Sequence, residues 1–288
     1  MKQSIITAFF FAVVVLGGVY GGAVSSYVLF VAIAAGCLWE LTGILFAAGS
    51  SHRFFRRFMG LFTGLLPVVM MGARAVWGMD FLHPGQEMSG VETAGWIALA
   101  EFFVVLLLII SELFLSDARP FDQIGRYLTG IFYVGFPYML LMEIAFLNGS
   151  YDAHRIFGIL WLVWTNDAAA YLIGSQIGRT KLFERISPKK TWEGTIAGVF
   201  FTLLMAWLCA RFIPSYTFGE WLAVGLAAAV FGSLGDLAES MLKRSVGIKD
   251  SGSLFPGHGG FLDRFDAFQF AVPFVWLFVM ICRYTAMF

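Results

Sequence analysis

Charge is what this 288-residue chain has least of: Asp, Glu, Lys and Arg together make up 13% of it, about half their share in soluble domains. A water-soluble globule is thereby excluded. Neither sign is in surplus, since 19 Lys plus Arg balance 19 Asp plus Glu. A nucleic-acid binder needs excess positive charge on one face, so nucleic acid is not an expected partner. Cysteine is scarce as well. Cys37, Cys209 and Cys282 lie singly inside apolar stretches, which excludes a disulfide framework and a zinc cluster and leaves them as small apolar packing residues. No internal repeat and no low-complexity tail is visible.

What the chain has in abundance is apolar length. Hydrophobic residues make up 59% of it, and a helix needs roughly 20 of them in a row to cross a bilayer core. About nine such runs can be placed, near residues 4–22, 26–48, 58–79, 94–115, 126–147, 155–175, 192–212, 217–238 and 261–284. The first has no clear small-residue cleavage site and is kept as a span. The expected fold is an all-α, polytopic integral membrane protein of about nine transmembrane helices. Positive residues stay on the cytoplasmic side. With the N-terminus cytoplasmic, every Lys and Arg except Arg74, Arg155, Arg211 and Arg283 falls inside or at an inner helix end. The expected outer segment from Asp80 to Glu92 carries Glu87 and Glu92 and no Lys or Arg. Trp39, Trp77, Trp96 and Trp192 near span ends read as interfacial anchors. Thirty-two glycines predict close helix packing, and the Gly17, Gly18, Gly21, Gly22 cluster reads as a packing face or bend. Polar residues concentrate in the second half. Residues 1–150 are therefore expected to serve packing or a dimer interface, and residues 151–288 catalysis, with cytoplasmic loops at 176–191 and 239–260.

Three stretches carry chemistry. In WLVWTNDAAAYLIGSQIG, Asn166 and Asp167 lie inside an apolar run. An ionised carboxylate there needs a polar cavity, a cation or a basic partner. The small residues Ala168, Ala169, Ala170, Gly174 and Gly178 read as helix packing. In GRTKLFERISPKKTWEG, Ser187 before Pro188, with Thr191, Glu193 and Gly194, gives a helix-start signal. Lys189 and Lys190 can there neutralise phosphates or bind anionic headgroups. The densest stretch runs from Gly232 to Asp266. If the eighth span continues helically past the membrane, Asp236, Glu239, Ser240, Lys243 and Arg244 share a face. Lys249 and Asp250 lead into PGHGG, whose Gly259 and Gly260 permit positive φ and close backbone approach. His258 lacks a second His or Cys beside it and reads as a general acid or a hydrogen-bonding turn residue. Asp263 and Asp266, one turn apart with Arg264 between, suit a helix N-terminus singly. Taken with Asp236 and the neighbouring cations they suit a metal and phosphate site.

Ser240–Asp266, SMLKRSVGIKDSGSLFPGHGGFLDRFD, resembles the signature of the phosphatidate cytidylyltransferases, also called CDP-diacylglycerol synthases. NDAAAYLIGSQIGRTKL and ISPKKTWEG resemble two further strings of that family, in the same order and at compatible spacing. The resemblance is specific over residues 150–288; before that only the hydropathy profile is similar. It implies an inner-membrane enzyme that joins CTP to phosphatidic acid among membrane lipids, releases pyrophosphate, requires Mg²⁺ with a second cation left open, and forms a homodimer. It implies metal binding by Asp236, Asp263 and Asp266. Lys243, Arg244, Lys249 and Arg264 would clamp phosphates, with Asp250 and His258 in the same catalytic group. Substrate contacts are expected from Asn166, Asp167, Ser187, Lys189, Lys190, Thr191, Glu193, Ser240, Gly259 and Gly260. CTP would arrive from the cytoplasm and the acyl chains sideways between helices.

Two other readings compete. A CTP-dependent kinase of a polyprenol or other lipid alcohol would move the γ- rather than the α-phosphorus. A secondary transporter would place its polar site near the midplane between repeats, whereas these residues gather in two loops on one face.

Overall fold

A bilayer interior offers the backbone no hydrogen-bonding partner but itself, so apolar runs of this length fold as helices. The computed structural model describes residues 2–46, 52–78, 90–115, 119–252 and 259–285, the side chains of 2–8 excepted. It contains α1 (Lys2–Tyr20), α2 (Ala23–Leu45), α3 (Arg53–Trp77), α4 (Gly90–Leu115), α5 (Pro120–Gly130) and α6 (Phe136–Ala145). These are followed by α7 (Ala153–Ile177), strands β1 (Lys181–Phe183) and β2 (Ser187–Thr191), α8 (Trp192–Phe212), α9 (Phe218–Ser245) and α10 (Leu262–Thr285). Among the described residues eight crossings are long and apolar enough for a membrane, α5 and α6 together making one of them, and α1 holds a shorter apolar stretch, Phe9–Tyr20. The protein is thus a polytopic, almost wholly helical membrane protein, and each of the nine expected runs coincides with a helix. Among the described residues the departure from all-α is the antiparallel β1–β2 hairpin, Lys181 opposite Thr191. Ser187 and Pro188 lie in β2 and do not start a helix; only Thr191 does, as the N-cap of α8. Most of the expected outer segment from Asp80 lies outside the described residues.

The chain divides into two compact units: Met1–Tyr151 with Ser251–Leu262, and Asp152–Asp250 with Asp263–Phe288. In the first, α3 packs against α2, α4, α5 and α6. Between α5 and α6 the helix widens into one π-turn, Ile131–Gly135. Pro137 has no N–H to return to the carbonyl four residues back, which loosens the ladder there. Gly135 comes so close to the Gly64 carbonyl of α3 that a Cβ would overlap its oxygen. Gly135→Ala is therefore expected to cost about 1–3 kcal/mol, as overpacking does. A thermal melt in detergent micelles checks this, with Gly125→Ala, which meets nothing within 4 Å, as the tolerated control. Gly22, at φ 105°, makes the bend between α1 and α2, and Gly18 packs on Leu29.

Two arginines of α3 inside the first unit have specific partners. Arg56 of α3, fully buried, holds Glu112 of α4 through two bonds, Nε–Oε1 at 3.1 Å and Nη2–Oε2 at 2.7 Å. Arg56 is thus not a free inward-facing charge of the kind that sets orientation. Arg57 lies 3.9 Å over the Trp39 ring and donates to the Trp39 carbonyl. Cys37 and Cys209 are buried and Cys282 half-buried, all as free thiols.

In the second unit α7 packs along α8, and α8 against α9. The small residues of α7 are the reason: a Cβ on Gly174 would sit 3.2 Å from the Gly194 Cα, and one on Gly194 2.6 Å from the Ala170 carbonyl. Caps fix the ends. Asp152 accepts from the His154 amide, and Thr217 and Glu220 form a capping box on α9. Two of the four cations that fell outside are engaged at that end: Arg155 faces Asp152 at 3.6 Å, and Arg283 binds Glu220 at 2.7 Å. Burial pushes the neighbouring Tyr216 phenol above its ordinary range.

Candidate active site

At the opposite end of the second unit, the C-terminal halves of α7 and α9, the hairpin and the start of α10 bring the expected residues together. α9 remains helical to Ser245, so Asp236, Glu239, Ser240 and Lys243 recur every three or four residues along one side of it. Gly232 and Gly235 let α10 approach: a Cβ on Gly235 would lie 2.8 Å from the Asp266 carbonyl and 2.5 Å from the Phe270 Cβ. Phe231 and Phe274 stack at 3.5 Å between centroids on the same seam. This close seam puts the acids of α10 beside those of α9.

Two lysines organise the carboxylates. Lys190, from β2, reaches Asp236 at 2.7 Å and donates to the Ser233 carbonyl at 3.2 Å. Lys243 is held between Glu239 and Asp263, 2.5 Å from each. Asn166 donates to Ser233 Oγ at 3.0 Å, tying α7 to α9 at the same level. Ser240 donates to Asp236 at 3.4 Å. Asp266 is buried and accepts from the Ala267 amide at 2.7 Å. Its carboxylate lies within electrostatic reach of Asp236, Glu239 and Asp167, and Asp167 in turn within reach of Lys190 and Arg264. Asp167 itself is exposed on α7.

The hairpin that delivers Lys190 is itself anchored. Glu193 accepts from the Arg179 amide at 3.1 Å and from the Thr180 amide at 3.1 Å, closing the base of the hairpin. Thr191 caps α8 by accepting from the Gly194 amide at 3.3 Å. These two residues, expected to touch substrate, here hold the backbone.

Lys189, Lys249, Asp250, Arg244 and Arg264 are exposed, and Arg244 donates to the Ile248 carbonyl. Ser187 is half-buried on β2. Gly259 and Gly260 belong to the first unit; Gly259 takes φ 77°, as its place in a glycine-rich turn predicts. His258 lies outside the described residues. Glu239 and Ser233, which partner the site directly, were given no role from the sequence. Glu239 did share the expected face of α9, and its burial was the missing piece.

Chemically the cluster gathers hard oxygen donors with two lysine cations fixed among them. Among the described residues no three His, Cys, Asp or Glu side chains stand close enough together to hold an ion by themselves. The donor type nonetheless suits Mg²⁺, which is usually held by one or two carboxylates and completed by substrate phosphates and water.

Comparison with known proteins gives one answer. Residues 2–282 match the cytidylyltransferase family. The chain is 35% identical over 283 residues to a phosphatidate cytidylyltransferase of Bacillus subtilis (strain 168), covering 96% of each. It is 38% identical over 194 residues to a phosphatidate cytidylyltransferase of Staphylococcus aureus (strain COL), 66% of this chain and 70% of that one. With the enzyme of the same description from Staphylococcus haemolyticus (strain JCSC1435) it shares 33% over 217 residues, 74% and 76% of the two chains.

Proposed function

The chain belongs to the cytidylyltransferase family, and from that membership we propose that it condenses CTP with phosphatidate to give CDP-diacylglycerol and pyrophosphate, a step of phospholipid synthesis. The observation that supports the reading most is the meeting of residues from the three chemistry-bearing stretches in one cluster of the second unit: Asn166 and Asp167, Lys190, and Asp236, Glu239, Lys243, Asp263 and Asp266. A phosphate oxygen of the lipid attacks the α-phosphorus of CTP, the new P–O bond forms, and the bond to the leaving pyrophosphate breaks. Anion approaches anion, so neutralisation and positioning supply most of the catalysis and no covalent enzyme intermediate is needed.

Lys190 and Lys243, steered by Asp236 and by Glu239 with Asp263, supply fixed positive charge that need not reorganise as the reaction proceeds. Arg264 and the exposed Lys189, Arg244 and Lys249 would receive the outer phosphates, and Asp250 belongs to the same proposed group. Asp236 with Asp263 or Asp266 would hold Mg²⁺, which supplies charge neutralisation at the α-phosphate and the departing pyrophosphate. Asp167 and Ser240 would face the nucleotide, with the buried Asn166 tying α7 to α9 behind them, and Ser187, Thr191 and Glu193 shape the hairpin that carries Lys190. We place the site on the cytoplasmic side of the inner membrane, with the N-terminus cytoplasmic and the protein a homodimer.

Labelled CTP tests the chemistry. With purified protein, Mg²⁺ and phosphatidate, label at the α-phosphate should enter the lipid, and label at the γ-phosphate should leave as pyrophosphate. Transfer of γ-label to a lipid alcohol, with none from the α-position, would mean a kinase instead.

A further inference from the structure

Glu40 sits near the end of α2, inside an apolar run where a lone carboxylate is costly. It is fully engaged, and with a single segment. Its Oε1 accepts from the Phe261 amide at 3.0 Å, and its Oε2 from the Leu262 amide at 3.0 Å and from the Ser251 hydroxyl at 2.8 Å. Both ends of the segment Ser251–Leu262 are thus drawn to one side chain. The two nearest glycines leave it room: a Cβ on Gly252 would lie 2.5 Å from Oε1, and a Cβ on Gly260 would overlap the carboxylate outright. Gly36, one turn before Glu40 on α2, likewise receives the Phe261 ring where a Cβ would be.

The geometry has a chemical logic. Phe261 and Leu262 open α10, whose first amides have no carbonyl partner within the helix. An anion there is stabilised both by the free N–H groups and by the helix dipole. Glu40 supplies that anion from outside the segment. It therefore fixes where α10 begins, and Asp263 follows Leu262 directly in the chain.

We infer that Glu40 is a positioning residue for the reaction: through the Phe261 and Leu262 amides it sets the first turn of α10, and so the aim of Asp263. The inference rests on the proposed cytidylyltransfer for its kinetic effect but not for its structural one. Gly252 and Gly260 are on this account glycines because the carboxylate occupies the space of their side chains. The first half of the chain, expected to serve packing or dimerisation, thereby acts in catalysis.

Glu40→Ala is expected to lower kcat for CDP-diacylglycerol formation about 10²-fold, the effect of misplacing a reacting group by about 1 Å. KM for phosphatidate and the thermal midpoint in detergent should change little. Glu40→Gln, which keeps the shape but turns an NH₂ toward donors, should fall about as far. Amide hydrogen exchange in the full-length protein reads the structure independently: peptides covering residues 259–262 should exchange faster in both variants.

Gly260→Ala should impair the parent enzyme but add almost nothing to Glu40→Ala, because the group its methyl displaces is already gone. Full activity in both Glu40 variants, unchanged exchange at 259–262, or multiplicative losses in the double variant would each overturn the inference. An inactive parent protein with normal exchange effects of Glu40→Gln would sink the cytidylyltransfer reading and leave the positioning role standing.

Discussion

Asp263→Asn is expected to lower turnover of CTP and phosphatidate by at least about 10²–10³-fold, the scale seen when one preorganised charge-stabilising group is removed from an active site. The substitution is isosteric, so it opens no cavity. Lys243 keeps its second partner, Glu239, at 2.5 Å, and the chain should insert and melt as the parent does. What disappears is one negative charge from the cluster proposed to hold a cation against a triphosphate. The lost charge should also raise the Mg²⁺ concentration needed for half-maximal rate. Mass analysis of the lipid product across a Mg²⁺ titration measures both effects. Parent-like turnover would remove Asp263 from the metal-binding assignment. A loss of rate with an unchanged Mg²⁺ requirement would leave it the narrower task of steering Lys243.

How much of this was legible in the sequence depended on whether the cause was local. Helices were, because twenty apolar residues have one way to satisfy their backbone in lipid. The Thr191 cap was, because capping chemistry spans three residues. The hairpin was not: β1 has three residues, and its basic, Pro-containing text matched the helix-start pattern better than any strand alternation. Asp236 and Asp263 could be grouped from their motif, but their fixed partners could not, since Lys190 stands 46 residues from Asp236 and only the packing of the helices joins them. Glu40 and Glu112 were missed although the rule applied to Asp167, that a carboxylate in an apolar run needs a partner, applies equally to them. Their partners, Ser251–Leu262 and Arg56, lie 211 and 56 residues away or thereabouts. A residue's need was readable; the group that met it was not.

Arg56 and Glu112 show the same need at its most consequential for stability. Arg56→Met is expected to destabilise the first unit by about 3–5 kcal/mol, the range for breaking a buried pair by removing one partner. The cause is less the lost attraction than the stranded charge: Glu112 would remain, 3% exposed, with no water to reach it. Met fills most of the vacated length, so little of the loss is cavity. Glu112→Leu should cost a similar amount by stranding the guanidinium beside the buried Tyr127. The double variant should recover most of the loss, because replacing both charges by apolar side chains of similar volume is often neutral or stabilising. Melts in mild detergent measure all three, and because the pair is internal, topology reported by cysteine labelling should not change. Singles that each cost under about 1 kcal/mol would put the pair in the class of exposed bridges. A double variant no better than the singles would mean that the bidentate geometry, and not the removal of a lone charge, holds α3 to α4.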